Sequence, residues 1–227
     1  MLLSYFLVEY ANCRGDEIGN HARLKIACRK TWEFKSPPRH LLNKKLIAYI
    51  VGVAIGDGNL SNPNGRAVRL RVTCDNKYPK LKNHIKESLQ IFFPENKVSE
   101  VKRTGCVDIS CYSNKLEEIL GWKAKGGSKE KQNVSIPDWI LNNKTYTKEC
   151  LRGLIQTDGS IYKDRGYLMI NYTTIIEKLA YQYFDILEKL GYKPQIREVK
   201  FKGYKKYVIR LSKDVEKFTK EIKVWKE

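Results

Sequence analysis

Two aspartates in this chain occur in matching settings. IVGVAIGDGNL carries Gly52, Val53, Asp57 and Gly58, and LRGLIQTDGSI, starting at Leu151, carries Gly153, Leu154, Asp158 and Gly159. Read as helices from Asn43 to Gly56 and from Thr147 to Thr157, capped by Asn43 and Thr147, both stretches end on their acid, where the following Gly can turn the chain. Small residues recur at helical spacing: Ala48, Gly52 and Gly56 in the first, Gly153 and Thr157 in the second. They form a predicted helix interface at which two backbones approach closely, setting Asp57 and Asp158 side by side. Carboxylates forced together raise one another's pKa, and a divalent cation relieves the repulsion. Mg2+ suits such a pair, since it takes one or two carboxylates and fills its shell with water and phosphate oxygens; Mn2+ is the expected substitute. The candidate metal-binding residues are Asp57 and Asp158 with their predecessors Gly56 and Thr157. The chemistry predicted is phosphodiester hydrolysis, with activated water and a stabilised 3′ leaving oxygen. Two acids on a pseudo-twofold axis suit the cutting of two antiparallel strands.

The elements around the acids repeat as well. After the first motif come the alternating run Val68 to Thr73 and the helical pattern Leu81, Ile85, Leu89, Phe92. Strand-like runs follow at Lys97 to Lys102 and Cys106 to Tyr112. After the second come Tyr167 to Tyr172, a helix through Ile176, Leu179, Tyr183, Ile186, Leu187 and Leu190, then Gln195 to Lys202 and Tyr204 to Leu211. The predicted fold is α+β: two pseudo-symmetric αββαββα half-domains with the motif helices packed at the interface. The halves span 43–142 and 143–227. Residues 1–42 form an N-terminal extension, set off by Ser36-Pro37-Pro38, that either packs on the core or adds a DNA contact. Between the halves, Gly121 to Val134 reads as a loop and Ile136-Pro137-Asp138-Trp139-Ile140 as a short helix.

Both motifs, their placement before strands and the IPDWI segment resemble the LAGLIDADG homing endonuclease family in its single-chain, two-motif form. The resemblance covers about residues 43 to 222. It implies antiparallel sheets that form a DNA-binding saddle in the major groove, and a double-strand DNA endonuclease that cuts across the minor groove at a long target site. The last acid of each motif, Asp57 and Asp158, would bind the catalytic metal. A basic residue after the third helix of a half would assist; Lys129 in Gly127-Ser128-Lys129 matches that place best, with Lys125 and Lys131 as alternatives. At the strand ends near the attacking water the chain offers Cys74 or Asp75, and Thr173. The motifs depart from the family spelling at Ile55-Gly56 and Gln156-Thr157. The same fold also serves as an RNA maturase that binds its host intron, or as a DNA-binding regulator that does not cut.

The strand alternation indicates where DNA would lie. Arg69, Arg71 and Thr73 share one face of their strand, opposite Val68, Leu70 and Val72. Asp108, Ser110 and Tyr112 form the corresponding row in the last strand of half one, and Asn171, Lys206 and Arg210 those of half two. Arg suits guanine and Thr suits a base edge or the thymine methyl. Arg66, Lys125, Lys131 and Lys163, on loops, are candidate phosphate contacts. The formal net charge of +18 favours a polyanionic partner. With 42% hydrophobic residues a globular core is affordable, and none of the six cysteines forms a CxxC pair. The apolar start, Leu2 to Val8, is broken by Glu9, so neither a signal peptide nor a membrane span is expected. The expectation is an intracellular, monomeric protein.

Overall fold

Helix α1 (Arg39–Asp57) starts polar, but its segment from Ala48 to Ile55 is apolar on every side and buried throughout. A helix of that kind belongs at the centre of a fold rather than on its surface. The computed structural model describes residues 39–201 and 203–226 and sets α1 against the second motif helix, α5 (Lys144–Thr157). The expected extension, residues 1–42, lies outside the described residues except for the start of α1.

The first half continues through β1 (Gly58–Ser61), β2 (Arg69–Asp75), α2 (Pro79–Phe92), β3 (Ser99–Lys102), β4 (Cys106–Tyr112) and α3 (Leu116–Leu120). The second repeats the order with β5 (Gly159–Asp164), β6 (Tyr167–Thr174), α6 (Glu177–Lys189), β7 (Gln195–Phe201), β8 (Tyr204–Leu211) and α7 (Val215–Ile222). The short helix α4 (Asp138–Leu141) lies between them. Each half holds one four-stranded antiparallel sheet, ordered β1-β2-β4-β3 and β5-β6-β8-β7. The predicted αββαββα duplication is therefore the fold. Equivalent register ties the halves together, since Gly58 pairs with Val72 and Gly159 with Tyr172, the glycine after each acid opening the first strand. One face of each sheet packs on its helices through Leu70, Val72 and Ile109 in half one and Ile170, Tyr172 and Ile209 in half two.

The helix starts differ from the expected caps. Asn43 lies inside α1, which begins at Arg39. The cap of α5 is Asn143, whose Oδ1 accepts from the backbone N–H groups of Thr145 (3.0 Å) and Tyr146 (3.2 Å). Thr147 sits in the first turn, its buried hydroxyl hydrogen-bonded to the carbonyls of Ile140 (2.8 Å) and Asn143 (3.0 Å). Asparagine at the cap leaves threonine free to tie α4 to α5.

Candidate active site and nucleic-acid interface

Glycine lets the two motif helices touch backbone to backbone. A Cβ on Gly52 would fall onto the carbonyl of Cys150, and one on Gly153 would lie 2.5 Å from the carbonyl oxygen of Tyr49. A Cβ on Gly56 would strike the Thr157 hydroxyl and come within 3.4 Å of Asp158 Oδ2. Ala48, also at the predicted interface, is fully buried. The end of α1 is thereby pressed against the carboxylate that caps α5.

Both acids open to solvent on one side while protein encloses the others. Loss of water raises the pKa of Asp57, opposed by Lys226 and then Lys129. Asp158 is raised to about 6 by the same desolvation and then by the charge of Asp57, opposed by Lys129 and Lys226. The pair is thus held at a cost that a cation would relieve.

Two lysines frame it. Lys129 Nζ donates to the carbonyls of Ala54 (3.3 Å), Ile55 (2.5 Å) and Gly56 (2.5 Å) at the end of α1. Lys226 Nζ donates to those of Thr157 and Gly159, both at 3.1 Å, at the end of α5. An ammonium is suited to the negative end of a helix, where the last carbonyls lack backbone partners. Burial lowers the pKa of both lysines, and the two aspartates oppose that shift. Lys129 thus lies at the acids, whereas Lys125 and Lys131 are exposed on the same loop and absent from the charges that shift either acid.

Lys226 has no signature in the sequence. It carries no motif and lies beyond the last helix; its place depends on a tail that crosses between the halves. Gln156 donates to the carbonyl of Trp225 (2.9 Å), the Trp225 ring meets His84 of α2 edge-on (5.5 Å), and Lys226 lies over the Tyr78 ring (5.3 Å).

The carbonyls of Gly56 and Thr157, expected as metal ligands, each accept a lysine N–H here. No group of three or more His, Cys, Asp or Glu side chains converges among the described residues. The donor set offered to a cation is two carboxylates and nearby carbonyls, which fits Mg2+ completed by water and phosphate oxygens. Beside Asp158 and Lys129 opens a cleft of about 460 Å³, lined also by Thr173, Tyr204 and Lys206. Register makes Thr73, not Cys74, the half-one equivalent of Thr173; Cys74, the residue expected there, is a buried thiol that desolvation, foremost, pushes up to about 12. Asp75 is exposed and faces Lys226 electrostatically.

The predicted rows lie on the sheet faces turned from the core, with exceptions. Arg69, Arg71 and Thr73 stand across from Tyr112, Ser110 and Asp108. Only Tyr112 of that second row is exposed. Ser110 is covered, its hydroxyl 3.2 Å from that of Ser99. Asp108 departs from the expectation of a direct DNA contact: its carboxylate is buried, accepting from Thr73 Oγ1 (2.7 Å) and Arg103 Nε (2.6 Å). A lone carboxylate on a basic face is drawn under its neighbouring cations. In half two, Asn171, Arg210 and Tyr162 form a closed hydrogen-bonded triangle, with Arg210 Nε donating to Asn171 Oδ1 (3.1 Å) and both Arg210 and Asn171 donating to the Tyr162 hydroxyl (3.0 and 2.9 Å). Lys206 shares their face, paired with Val199. Lys163 pairs with Leu168 and therefore stands on the opposite face, exposed at the strand edge. Arg66 is exposed in the β1–β2 loop. Tyr162 and Arg103, which join these networks, escaped the sequence reading because their partners come from other strands. No helix among the described residues is long and apolar enough to cross a membrane.

The LAGLIDADG-like domain family matches residues 145–223. No curated protein sequence is detectably similar to the chain. Among solved structures, the homing endonuclease I-DmoI in complex with DNA and Mn superposes with a TM-score of 0.60 at 22% identity, covering 79% of this chain and 97% of that one. I-DmoI with DNA and Ca gives the same score and identity over 79% of this chain and 90% of that one. The N-terminal LAGLIDADG domain of DUF199/WhiA matches at 13% identity and a TM-score of 0.56, over 81% of this chain and 84% of that one. At such identities the likeness is one of fold. The second half-domain thus matches a LAGLIDADG-like domain, and the chain, with the motif present twice and both half-domains built alike, has the fold of these LAGLIDADG structures.

Proposed function

We propose that this protein is a site-specific double-strand DNA endonuclease that uses Mg2+, with Mn2+ as a substitute. The observation that carries this reading is the close packing of the motif helices, which holds Asp57 and Asp158 together with a lysine at each helix end. Asp57 and Asp158 would hold the ion. Bound there, it supplies an activated water and stabilises the leaving 3′ oxygen. The chain itself contributes the rest. Its sheet faces bind and orient the duplex, Asp57 and Asp158 accept positive charge, and Lys129 and Lys226 hold protons at Nζ beside the scissile phosphates. Both lysines are depressed by burial, which eases proton exchange with solvent. Thr173, in the cleft with Asp158, is placed to orient solvent there. I-DmoI, of the same fold, has been crystallised with DNA and Mn, which supports a divalent ion and a duplex substrate. The +18 net charge supports the same partner and implies affinity that falls steeply with salt. We further infer that the protein acts as a monomer inside the cell, since both acids come from one chain.

The test is to incubate the protein with a plasmid library of random and intron-flanking sequences in Mg2+, in EDTA, and with an Asp57→Asn/Asp158→Asn variant, and to sequence the ends. Metal-dependent ends at one long site, absent with the variant, are the expected result. Salt-sensitive binding without cleavage would replace this reading with the maturase or regulator, and RNA would become the next ligand to try.

A further inference from the structure

The two sheet faces are built alike but are not chemically alike, and the difference centres on Asp108. Its side chain is 5% exposed, yet it lies on the outer face, beneath Arg71 and Arg103. Arg103 Nε is 2.6 Å from Asp108 Oδ2, Arg71 NH1 is 4.0 Å from the same oxygen, and Thr73 Oγ1 donates to Oδ1 at 2.7 Å. With Nε of Arg103 taken, its terminal NH2 groups are the donors that remain. Arg71 Nε is buried with no hydrogen-bond partner among the described residues, while a third of the side chain stays exposed, so its terminal nitrogens are the donors an incoming acceptor would meet. Guanine offers two acceptors, O6 and N7, in the major groove, the pattern a fixed guanidinium meets in bidentate fashion.

Matching register shows that half two lacks this device. Thr73 pairs with Asp108 where Thr173 pairs with Val208, and Arg71 pairs with Ser110 where Asn171 pairs with Arg210. Valine replaces the buried carboxylate, asparagine replaces Arg71, and the Arg210 fork is already engaged with Asn171 and Tyr162. The cluster also lies close to the acids, since Thr73 follows Val72, the partner of the glycine after Asp57.

Resting on the endonuclease reading above, we propose that the half-one sheet reads guanines in the part of its half-site nearest the cleavage point through Arg71 and Arg103, with Asp108 as the positioning residue that fixes both forks. The half-site facing half two carries no matching guanine requirement.

Full-length protein and its variants are used to select from a duplex pool randomised across the site, in Ca2+ to hold binding apart from cutting, and the bound pools are sequenced. The half-site facing half two is the one altered by Arg210→Ala. Expected is guanine enrichment in the other half-site, lost at one position each in Arg71→Lys and Arg103→Lys. In Asp108→Asn the guanine preference falls roughly tenfold at both positions. Total duplex affinity in that variant holds or rises, because a negative charge has left a basic face. Asp108→Glu restores part of the preference, which a variant that had merely lost its fold could not do. A selected site without guanines in that half-site, or one read identically by Asp108→Asn, overturns the proposal alone. A pool with no consensus at all overturns the endonuclease reading beneath it.

Discussion

Lys226 is hydrogen-bonded to the carbonyls that flank Asp158, yet it is the charge that most favours the ionised form of Asp57. Lys129 shows the converse, bound to the end of α1 while the acid that acts on it most is Asp158. The ends of the two helices are so close that each lysine acts on both acids, and more strongly on the acid of the other half. On the endonuclease reading proposed above, each catalytic centre would be shared between half-domains, and damage to one half would be felt at both.

This crossing predicts strand-specific defects. Lys129→Met and Lys226→Met should each slow cleavage about 100-fold, the lower range for a positioned proton donor or acceptor. Each should slow one strand more than the other, and not the same one. Nicked and linear products from supercoiled plasmid, resolved over time, measure both rates. Equal slowing of both strands by both variants would remove the crossed assignment.

Asp57→Asn and Asp158→Asn should keep site binding and lose cutting by about 1,000-fold or more, corresponding to roughly 4 kcal/mol of transition-state stabilisation. Gel shift in Ca2+ and cleavage in Mg2+ separate the two effects. Binding and cutting lost together would indicate a damaged helix pair.

The pH dependence follows from the raised acids. Metal is held by carboxylates, and Asp158, at about 6, carries a proton below that pH. Cleavage at limiting Mg2+ should rise as pH increases through about 6 and level off above it, and higher Mg2+ should move the midpoint downward. Stability has the opposite sign. Between its unfolded value near 3.8 and about 6, Asp158 is more protonated in the folded chain, so metal-free stability falls as pH rises across that window. Asp158→Asn should then stabilise the metal-free protein above pH 6, by less than about 1 kcal/mol because solvent screens the group. Thermal unfolding at pH 4 and pH 8, with and without Mg2+, measures this.

Gly52→Ala and Gly153→Ala should each cost about 3 kcal/mol, since the added carbon meets backbone that cannot turn aside. Chemical denaturation reads the loss. A near-neutral result in both would mean that α1 and α5 do not pack as closely as described.

Much of this fold was legible without coordinates because it rests on local rules. Asp-Gly at the end of an apolar, small-residue stretch marks a helix end, and alternation in Arg69 to Thr73 marks which side chains share a face; both depend on residues a few positions apart. The duplication of these patterns paired Asp57 with Asp158 and predicted two equivalent sheets. Tertiary structure alone decided what depends on residues distant along the chain. Lys226 reaches the acids only because the tail is pinned by Gln156 and His84. Asp108 reads as one more polar residue on a strand until Arg103 and Thr73 enclose it. Lys163 falls on the other face because register, set by the Gly159–Tyr172 pairing, turns it there. Local pattern specifies which elements form; how closely they pack, and which charges are thereby stripped of water and paired, is settled only when they meet.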